Sequence, residues 1–198
     1  MTESAANPAK RKGQWQLILI AAVFLGPLAL ATWLYYGGAA MQPEGRTNHG
    51  LLLEPITNLR VAAPDSGLHA LHPAGEERWQ LAYTYTARCG DECRNGLYTI
   101  RQVRLMLGRE MERVERVFLH GDAALDTLFL EAEHSGLVTL GEASLAALLA
   151  GKLPAGAGGN GYYLIDPLGN LVLYFPPGIE PRDMVSDIKR LLRLSSIG

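Results

Sequence analysis

Residues 79–94 read WQLAYTYTARCGDECR and hold both cysteines of the 198-residue chain. The first eight residues of this stretch mix aromatic and β-branched side chains, a pattern that predicts a strand over 79–86. From Cys93 onward, apolar side chains recur at helical spacing, at Leu97, Ile100, Val103 and Leu107. The cysteine pair is therefore expected between a strand and an amphipathic helix, and the rest of the chain is interpreted around it.

The two cysteines are expected to differ in exposure. Cys93 lies four residues before Leu97 on the apolar stripe and should point inward, whereas Cys89 should lie at a more exposed mouth. If the helix extended back to Cys89, the two Cβ atoms would be roughly 5 to 6 Å apart, farther than the approximately 3.8 Å of a disulfide. We therefore expect Cys89 in a loop or a distorted first turn, so that the pair can open and close.

The position of the pair at the start of a helix has a chemical meaning, because a helix N-terminus stabilises a thiolate. The positive charges of Arg88 and Arg94 would also stabilise a thiolate, whereas the negative charges of Asp91 and Glu92 would destabilise it. A spacing of three residues between cysteines leaves two interpretations open. One is a redox-active pair; the other is a structural disulfide, or two buried thiols without chemistry.

A long apolar segment lies near the N-terminus and follows the basic cluster 10–12. Residues 17–36 contain no charged side chain, and about 20 apolar residues are what a helix needs to cross roughly 30 Å of hydrocarbon. Aromatic side chains stand where interfacial aromatics belong, at Trp15, Trp33, Tyr35 and Tyr36. The sequence thus predicts a cytoplasmic N-terminus over 1–14 and one transmembrane helix over 15–36, which Gly26-Pro27 could kink.

A cleaved signal peptide is the alternative, since Gly37-Gly38-Ala39-Ala40 offers small residues to a peptidase. The apolar part of a signal peptide spans only about 7 to 15 residues, so an anchor is favoured. The positive-inside rule keeps the basic cluster in the cytoplasm. We therefore predict a single-pass protein of a bacterial inner membrane, whose C-terminal domain lies in the oxidising periplasm.

The exported part is long enough for one domain with a proper core, about 160 residues. The chain has 18 Lys and Arg and 20 Asp and Glu, of which three basic residues and one acidic residue precede Trp15. The exported part therefore has 15 basic and 19 acidic residues. This mild acidity gives no support for nucleic-acid binding.

Residues 37–74 contain four prolines and several glycines, and we interpret them as a linker and irregular lead-in. Within this segment, Leu51-Leu52-Leu53 and Ile56 are expected to form a short edge strand. The compact domain itself is assigned to 75–198. His49, His69 and His72 also lie in the lead-in; His69 and His72 suggest a metal clamp, but loop histidines without a further ligand are expected to be solvated.

The pattern after the motif helix predicts a further series of elements. These are a strand over 113–119 closed by 120–122, a helix over 123–134, a short extended piece over 137–140, helical turns over 144–149, a glycine-rich break over 151–161, a β-hairpin over 162–165 and 171–175, and a helix over 181–194. The turn chemistry of 166–170 supports the hairpin. This order is that of an α/β thioredoxin-like domain, in which sites are built at the carboxyl ends of the strands.

These segments resemble the Sco/SenC family, whose members are membrane-anchored, thioredoxin-like and carry a CxxxC pair for assembly of the copper centre of cytochrome c oxidase. The resemblance covers residues 79–194. It depends on Cys89-Gly90-Asp91-Glu92-Cys93, on Asp126-Thr127, and on residues 163–170 before the terminal helix.

Two features depart from the family pattern. Arg94 stands where the family usually has a proline after the second cysteine, and residues 153–161 lack the histidine that supplies the family's third copper ligand. His120, at the carboxyl end of the second predicted strand, is the histidine best placed to complete a Cu(I) site with Cys89 and Cys93. His134, near the end of the following helix, is less able to reach it.

Three functions follow from the pair and the resemblance. The first is thiol–disulfide exchange in cytochrome c oxidase biogenesis, in which Cys89 attacks a partner disulfide and Cys93 resolves the mixed disulfide. Its partner would be a respiratory oxidase subunit or another periplasmic thiol protein, and no cofactor is required. The second is a Cu(I) metallochaperone, since Cu(I) accepts thiolates. The third is a non-catalytic assembly scaffold with a structural disulfide.

Overall fold

A computed structural model describes residues 8–37, 48–71, 77–121 and 124–197. The chain divides into two units, of which the first ends at residue 46. This first unit contains one helix, α1 (Pro8–Gly37), and its segment Trp15–Trp33 is long and apolar enough to cross a membrane. The predicted apolar helix is confirmed, and Pro27 lies inside it.

The second unit is built on one six-stranded sheet. Its strands are β1 (Leu51–Asn58), β2 (Trp79–Tyr85), β3 (Val114–His120), β4 (Leu137–Gly141), β5 (Gly161–Ile165) and β6 (Asn170–Phe175), in the order β1-β6-β5-β2-β3-β4. Strands β2, β3 and β4 run parallel to one another. β5, β6 and β1 join through antiparallel pairs. This mixed sheet gives the thioredoxin-like fold that the sequence predicted.

Five helices accompany the sheet in the described part of this unit. They are α2 (Leu59–Ala62), α3 (Asp91–Met106), α4 (Thr127–Glu133), α5 (Ala143–Ala150) and α6 (Pro181–Leu194), with 3-10 turns at Gly67–Ala70 and Gly108–Arg113. The predicted hairpin and terminal helix agree with β5, β6 and α6, because their turn residues and apolar periodicity are local signals.

The expected edge strand forms and is longer than the sequence indicated. β1 pairs with β6 along an antiparallel ladder, with an irregular register between Leu52 and Thr57. Just before it, the N–H of Gly50 donates to the buried carboxylate of Asp187 on α6, at 2.8 Å. The sheet therefore begins inside the segment that we interpreted as a linker and irregular lead-in.

Two apolar clusters cover the two faces of the sheet. On one face, α3 and α6 bury their apolar side chains, including Cys93, Leu97, Ile100, Met184 and Ile188. On the other face, α5 packs Leu145 and Leu149 in a cluster with Tyr163 and Tyr174. Gly96 lets α3 approach the sheet closely, because a Cβ atom there would collide with the ring of Tyr83.

Helix α4 differs from its prediction, which started the helix at residue 123. The structure begins it at Thr127, since the Asp126 carboxylate accepts the N–H of Phe129 at 3.1 Å and acts as the N-cap. Leu128, in the first turn of this helix, is 78% exposed. Leu125 and Phe129 do pack against the core.

Candidate functional site

The candidate site lies at the carboxyl end of β2, in the middle of the sheet. Tyr85, the last residue of β2, is paired with His120 of the parallel strand β3. Thr84 is paired with Gly161, the first residue of the antiparallel strand β5. The carboxyl ends of β2 and β3 and the start of β5 therefore lie at the same end of the sheet. From this end the chain continues from β2 to Cys89.

Cys89 and Cys93 form a disulfide, with their Cα atoms 5.0 Å apart. Cys89 precedes the helix, because α3 has Gly90 as its N-cap and its first helical bond runs from the Arg94 N–H to the Gly90 carbonyl. Cys93 is fully buried in the first turn, whereas Cys89 is only partly buried. The expected loop position of Cys89 and the expected difference in exposure are both observed.

An aromatic cluster belongs to the same buried core as Cys93. Tyr83 stacks on Phe118 with ring centroids 5.8 Å apart and on Tyr162 at 5.1 Å. Burial, followed by the charges of Tyr162, Glu92 and Tyr85, raises the pKa of Tyr83 well above its ordinary value. Tyr83 thus stays neutral, and it adds no negative charge near a thiolate of the reduced pair.

A hydrogen bond joins the end of β2 to the first turn of α3. The hydroxyl of Tyr85 donates to Glu92 Oε2 at 3.2 Å. Burial and this hydrogen bond both raise the pKa of Tyr85. The hydroxyl therefore remains a donor at neutral pH and holds the Glu92 carboxylate beside the strand.

Arg94 links the starts of α3 and α4. Its guanidinium lies 3.3 Å from Asp126 Oδ2 and 4.6 Å from the centroid of the Phe129 ring. Because the same Asp126 side chain caps α4, one carboxylate serves both helices. The sequence indicated Arg94 as a charge beside the cysteines and as a departure from the family pattern, but not this contact, which depends on tertiary packing.

The loop before β5 is held by three hydroxyl groups. Thr84 Oγ1 lies 3.0 and 3.3 Å from the carbonyl oxygens of Gly159 and Gly161, which share its one hydroxyl proton. The Tyr163 hydroxyl donates to Gly159, and the Tyr174 hydroxyl lies 2.9 to 3.0 Å from the carbonyls of residues 158 and 160. These bonds anchor the loop next to the end of β2 through its backbone, in the place where the resembled family carries a histidine.

His120 does not join the cysteines in a ligand set. Its Nδ1 atom donates to the Gly121 carbonyl at 2.6 Å, and its ring lies 5.6 Å from that of Phe118. Within the described ranges, no group of three or more His, Cys, Asp or Glu side chains could hold a metal ion. The disulfide-bonded pair and His120 thus form no such ligand set, and Cu(I) binding by the reduced cysteines stays a prediction.

The remaining described histidines serve other contacts. His69 Nε2 lies 3.2 and 3.0 Å from the carbonyls of Leu59 and Ala63, so the expectation of a solvated ring is wrong for this residue. His49 is exposed and lies 3.6 Å from Asp183, while His72 lies outside the described residues. His134 is buried, and its pKa is lowered by burial and then by Arg116 and Arg101.

Comparison with known proteins identifies two matching family models. The model described as "Transmembrane-like, thioredoxin-like, C-terminal domain" matches residues 79–195, more than half of the chain. The model described as "Transmembrane-like, N-terminal domain" matches residues 8–38. No curated protein matches the sequence significantly.

Solved structures with a similar fold include copper-bound ScoI of Bradyrhizobium japonicum (21% identity, TM-score 0.43, 59% of this chain and 87% of that chain). Yeast Sco1 is 17% identical, with a TM-score of 0.49, and the match covers 61% of this chain and 83% of that chain. A DsbF homologue from Corynebacterium diphtheriae is 15% identical, with a TM-score of 0.44, over 59% of this chain and 73% of that chain. At these identities the similarity concerns the fold alone.

The position of His120 generates a prediction about copper. In a competition titration of the reduced full-length protein with a Cu(I) chelator, His120→Ala tests whether the Nε2 atom, which the Nδ1–H bond to the Gly121 carbonyl leaves free for a metal, joins the two sulfurs. His120 belongs to no described group of three ligating side chains, so the apparent affinity should stay unchanged. Cys89→Ser should weaken any Cu(I) binding by about tenfold or more, since Cu(I) prefers thiolates.

The exposed His49 provides a matched control, as His49→Ala. A loss of affinity in His120→Ala comparable with that in Cys89→Ser would contradict this prediction and identify His120 as a third ligand. If neither substitution alters binding, the copper hypothesis fails altogether.

Proposed function

The chain belongs to the transmembrane-like, thioredoxin-like C-terminal domain family, and on this premise we propose that it is a membrane-anchored thiol–disulfide exchange protein. One observation carries the proposal: an accessible Cys89 is joined to a buried Cys93 at the start of a helix. A partner sulfur can approach the first cysteine only, so the pair has a defined order of reaction.

The exchange is a reversible two-electron reaction with a partner dithiol or disulfide. In the reducing direction, the Cys89 thiolate attacks one sulfur of a partner disulfide, and the other partner sulfur leaves as a thiolate. Cys93, as a thiolate, then attacks Cys89 Sγ; the Cys89–Cys93 disulfide forms and the second partner sulfur leaves. The two leaving thiolates take up the two protons that the cysteines lost, and the reverse sequence oxidises a partner dithiol.

The surroundings of the pair support this order. The N–H groups of the first turn of α3 are oriented toward the helix start, where they stabilise negative charge on sulfur. Cys93 is fully buried in the same apolar cluster as Leu97 and Phe118, so a partner sulfur cannot reach it. An enclosed second thiol resolves a mixed disulfide efficiently, because its only neighbouring electrophile is Cys89.

The biological setting is inferred from the resemblance to Sco/SenC proteins. We place the exchange in the biogenesis of cytochrome c oxidase, and its partner would be a respiratory oxidase subunit or another periplasmic thiol protein. Exchange requires no cofactor. The matched N-terminal family model and the apolar helix α1 support a single-pass membrane anchor, which would hold the domain next to membrane-bound partners.

The orientation of the anchor is predicted from charge. Residues 10–12 are basic and precede the apolar segment, so they should stay in the cytoplasm and Cys89 should face the periplasm. A membrane-impermeant thiol reagent, applied to intact spheroplasts after reduction, should therefore label Cys89. A cytoplasmic thiol protein in the same cells should remain unlabelled until lysis. If Cys89 also required lysis, the periplasmic assignment would be withdrawn.

The difference in exposure predicts which cysteine traps partners. In Cys93→Ser, Cys89 stays accessible but cannot be released by its neighbour, so mixed disulfides with partner proteins should accumulate on non-reducing gels. In Cys89→Ser, trapping should be weaker by about tenfold or more, because exchange depends on access to the sulfur.

The double substitution of both cysteines gives the background level of trapping. Equal trapping by the two single variants, or trapping by neither above that background, would count against the exchange mechanism. Reduction should release every trapped partner, because the link is a disulfide.

A further inference from the structure

A cavity of about 320 Å³ lies directly against Cys89. It is a concave space between the cysteine loop, the end of β3 and the start of α4. Its size is at the lower end of ligand sites in proteins, which measure about 300 to 1,000 Å³. A partner whose sulfur bonds to Cys89 must therefore bring the residues next to that sulfur to the mouth of this cavity.

Apolar side chains form the floor of the cavity. Phe118 is buried beneath it, and Leu125, Phe129 and Leu130 line it while remaining only partly buried. These three side chains pack on the core from one side and present apolar surface to the cavity from the other. A bulky apolar side chain of a partner would remove that surface from water, which favours the complex.

The rim of the cavity is basic. Arg94 lines it, paired with Asp126 and stacked on Phe129, so its position is fixed from two sides. Arg88 also lines it, is exposed, and makes no ion pair with any other residue that the structure describes. Among the described lining residues, Asp126 supplies the one carboxylate, and it is already used by Arg94 and by the N-cap of α4. The rim thus complements a negative group.

We propose that this cavity selects the partner of the exchange reaction. The favoured partner segment carries a cysteine with a bulky apolar residue and an acidic residue close to it in sequence. The apolar side chain enters the cavity, and the carboxylate pairs with Arg88 at the rim. This inference depends on the proposed function, because the partner sulfur must react at Cys89 for its neighbours to reach the cavity.

The test uses reduced full-length protein in detergent micelles and short peptides whose single cysteine is joined by a disulfide to thionitrobenzoate. Attack by the Cys89 thiolate releases the coloured thiolate and leaves a mixed disulfide, which Cys93 resolves by releasing the peptide thiol. Four peptides place Leu or Ala, and Glu or Lys, next to the cysteine. The peptide with Leu and Glu should react about tenfold faster than the peptide with Ala and Lys, a ratio of the size that one apolar pocket provides.

Two substitutions address the two parts of the site separately. Ala124 is exposed and lines the cavity, so a tryptophan side chain introduced by Ala124→Trp should fill it. In this variant, peptides with Leu should react about as fast as the matching peptides with Ala. Ala132→Trp is the matched control, since Ala132 is exposed on α4 and does not line the cavity. Arg88→Glu should reverse the preference for Glu over Lys, and the exposed Arg109→Glu should not.

Each outcome decides a different point. Equal rates for all four peptides in the unmodified protein would overturn the selection proposal and leave the exchange function standing. A preference that survives both Ala124→Trp and Arg88→Glu would place recognition elsewhere and overturn it too. Absence of reaction with every peptide would instead contradict the proposed function itself. Because ratios are compared within each variant, a general loss of activity cannot imitate a loss of selection, and the surface substitution Arg88→Glu remains informative if Ala124→Trp does not fold.

Discussion

The pairing of β2 on both of its edges is the constraint on which the site depends. Hydrogen bonds to the parallel strand β3 and the antiparallel strand β5 fix the end of β2 opposite His120 and Gly161. From this end, Thr84 holds the loop before β5 and Tyr85 holds the first turn of α3. Because the strand is held on both edges, the cysteine loop starts from a fixed point rather than from a mobile edge.

The site is asymmetric in its chemistry as well as in its position. Cys93 is fully buried in the core and Cys89 is only partly buried, so burial sets the order in which the two cysteines react. The contact among Arg94, Asp126 and Phe129 then places a positive group and an apolar wall beside the accessible sulfur. The same bonds that fix α4 therefore shape the surface that a partner meets.

Local signals allowed much of this to be predicted from sequence, and tertiary contacts account for what was missed. The strand before the cysteines, the stripe after Cys93 and the final hairpin carry their periodicity within a few residues. The start of α4 was predicted too early because residues 123–125 suit a helix, whereas the Asp126 cap decides where it begins. His69 binds carbonyls brought near by the fold, and the apolar wall formed by Phe129 becomes visible only once α3 and α4 are packed.

The reduction potential of the Cys89–Cys93 pair tests the central claim most directly. It should be measured on the full-length protein in detergent by equilibration with a glutathione or dithiothreitol buffer, with alkylation to separate the two states. Exchange proteins of this fold have potentials of about −270 to −120 mV, and structural disulfides typically lie below about −300 mV. We predict a value above about −300 mV, within reach of partner dithiols. A value well below that limit would identify a structural disulfide and contradict the exchange function.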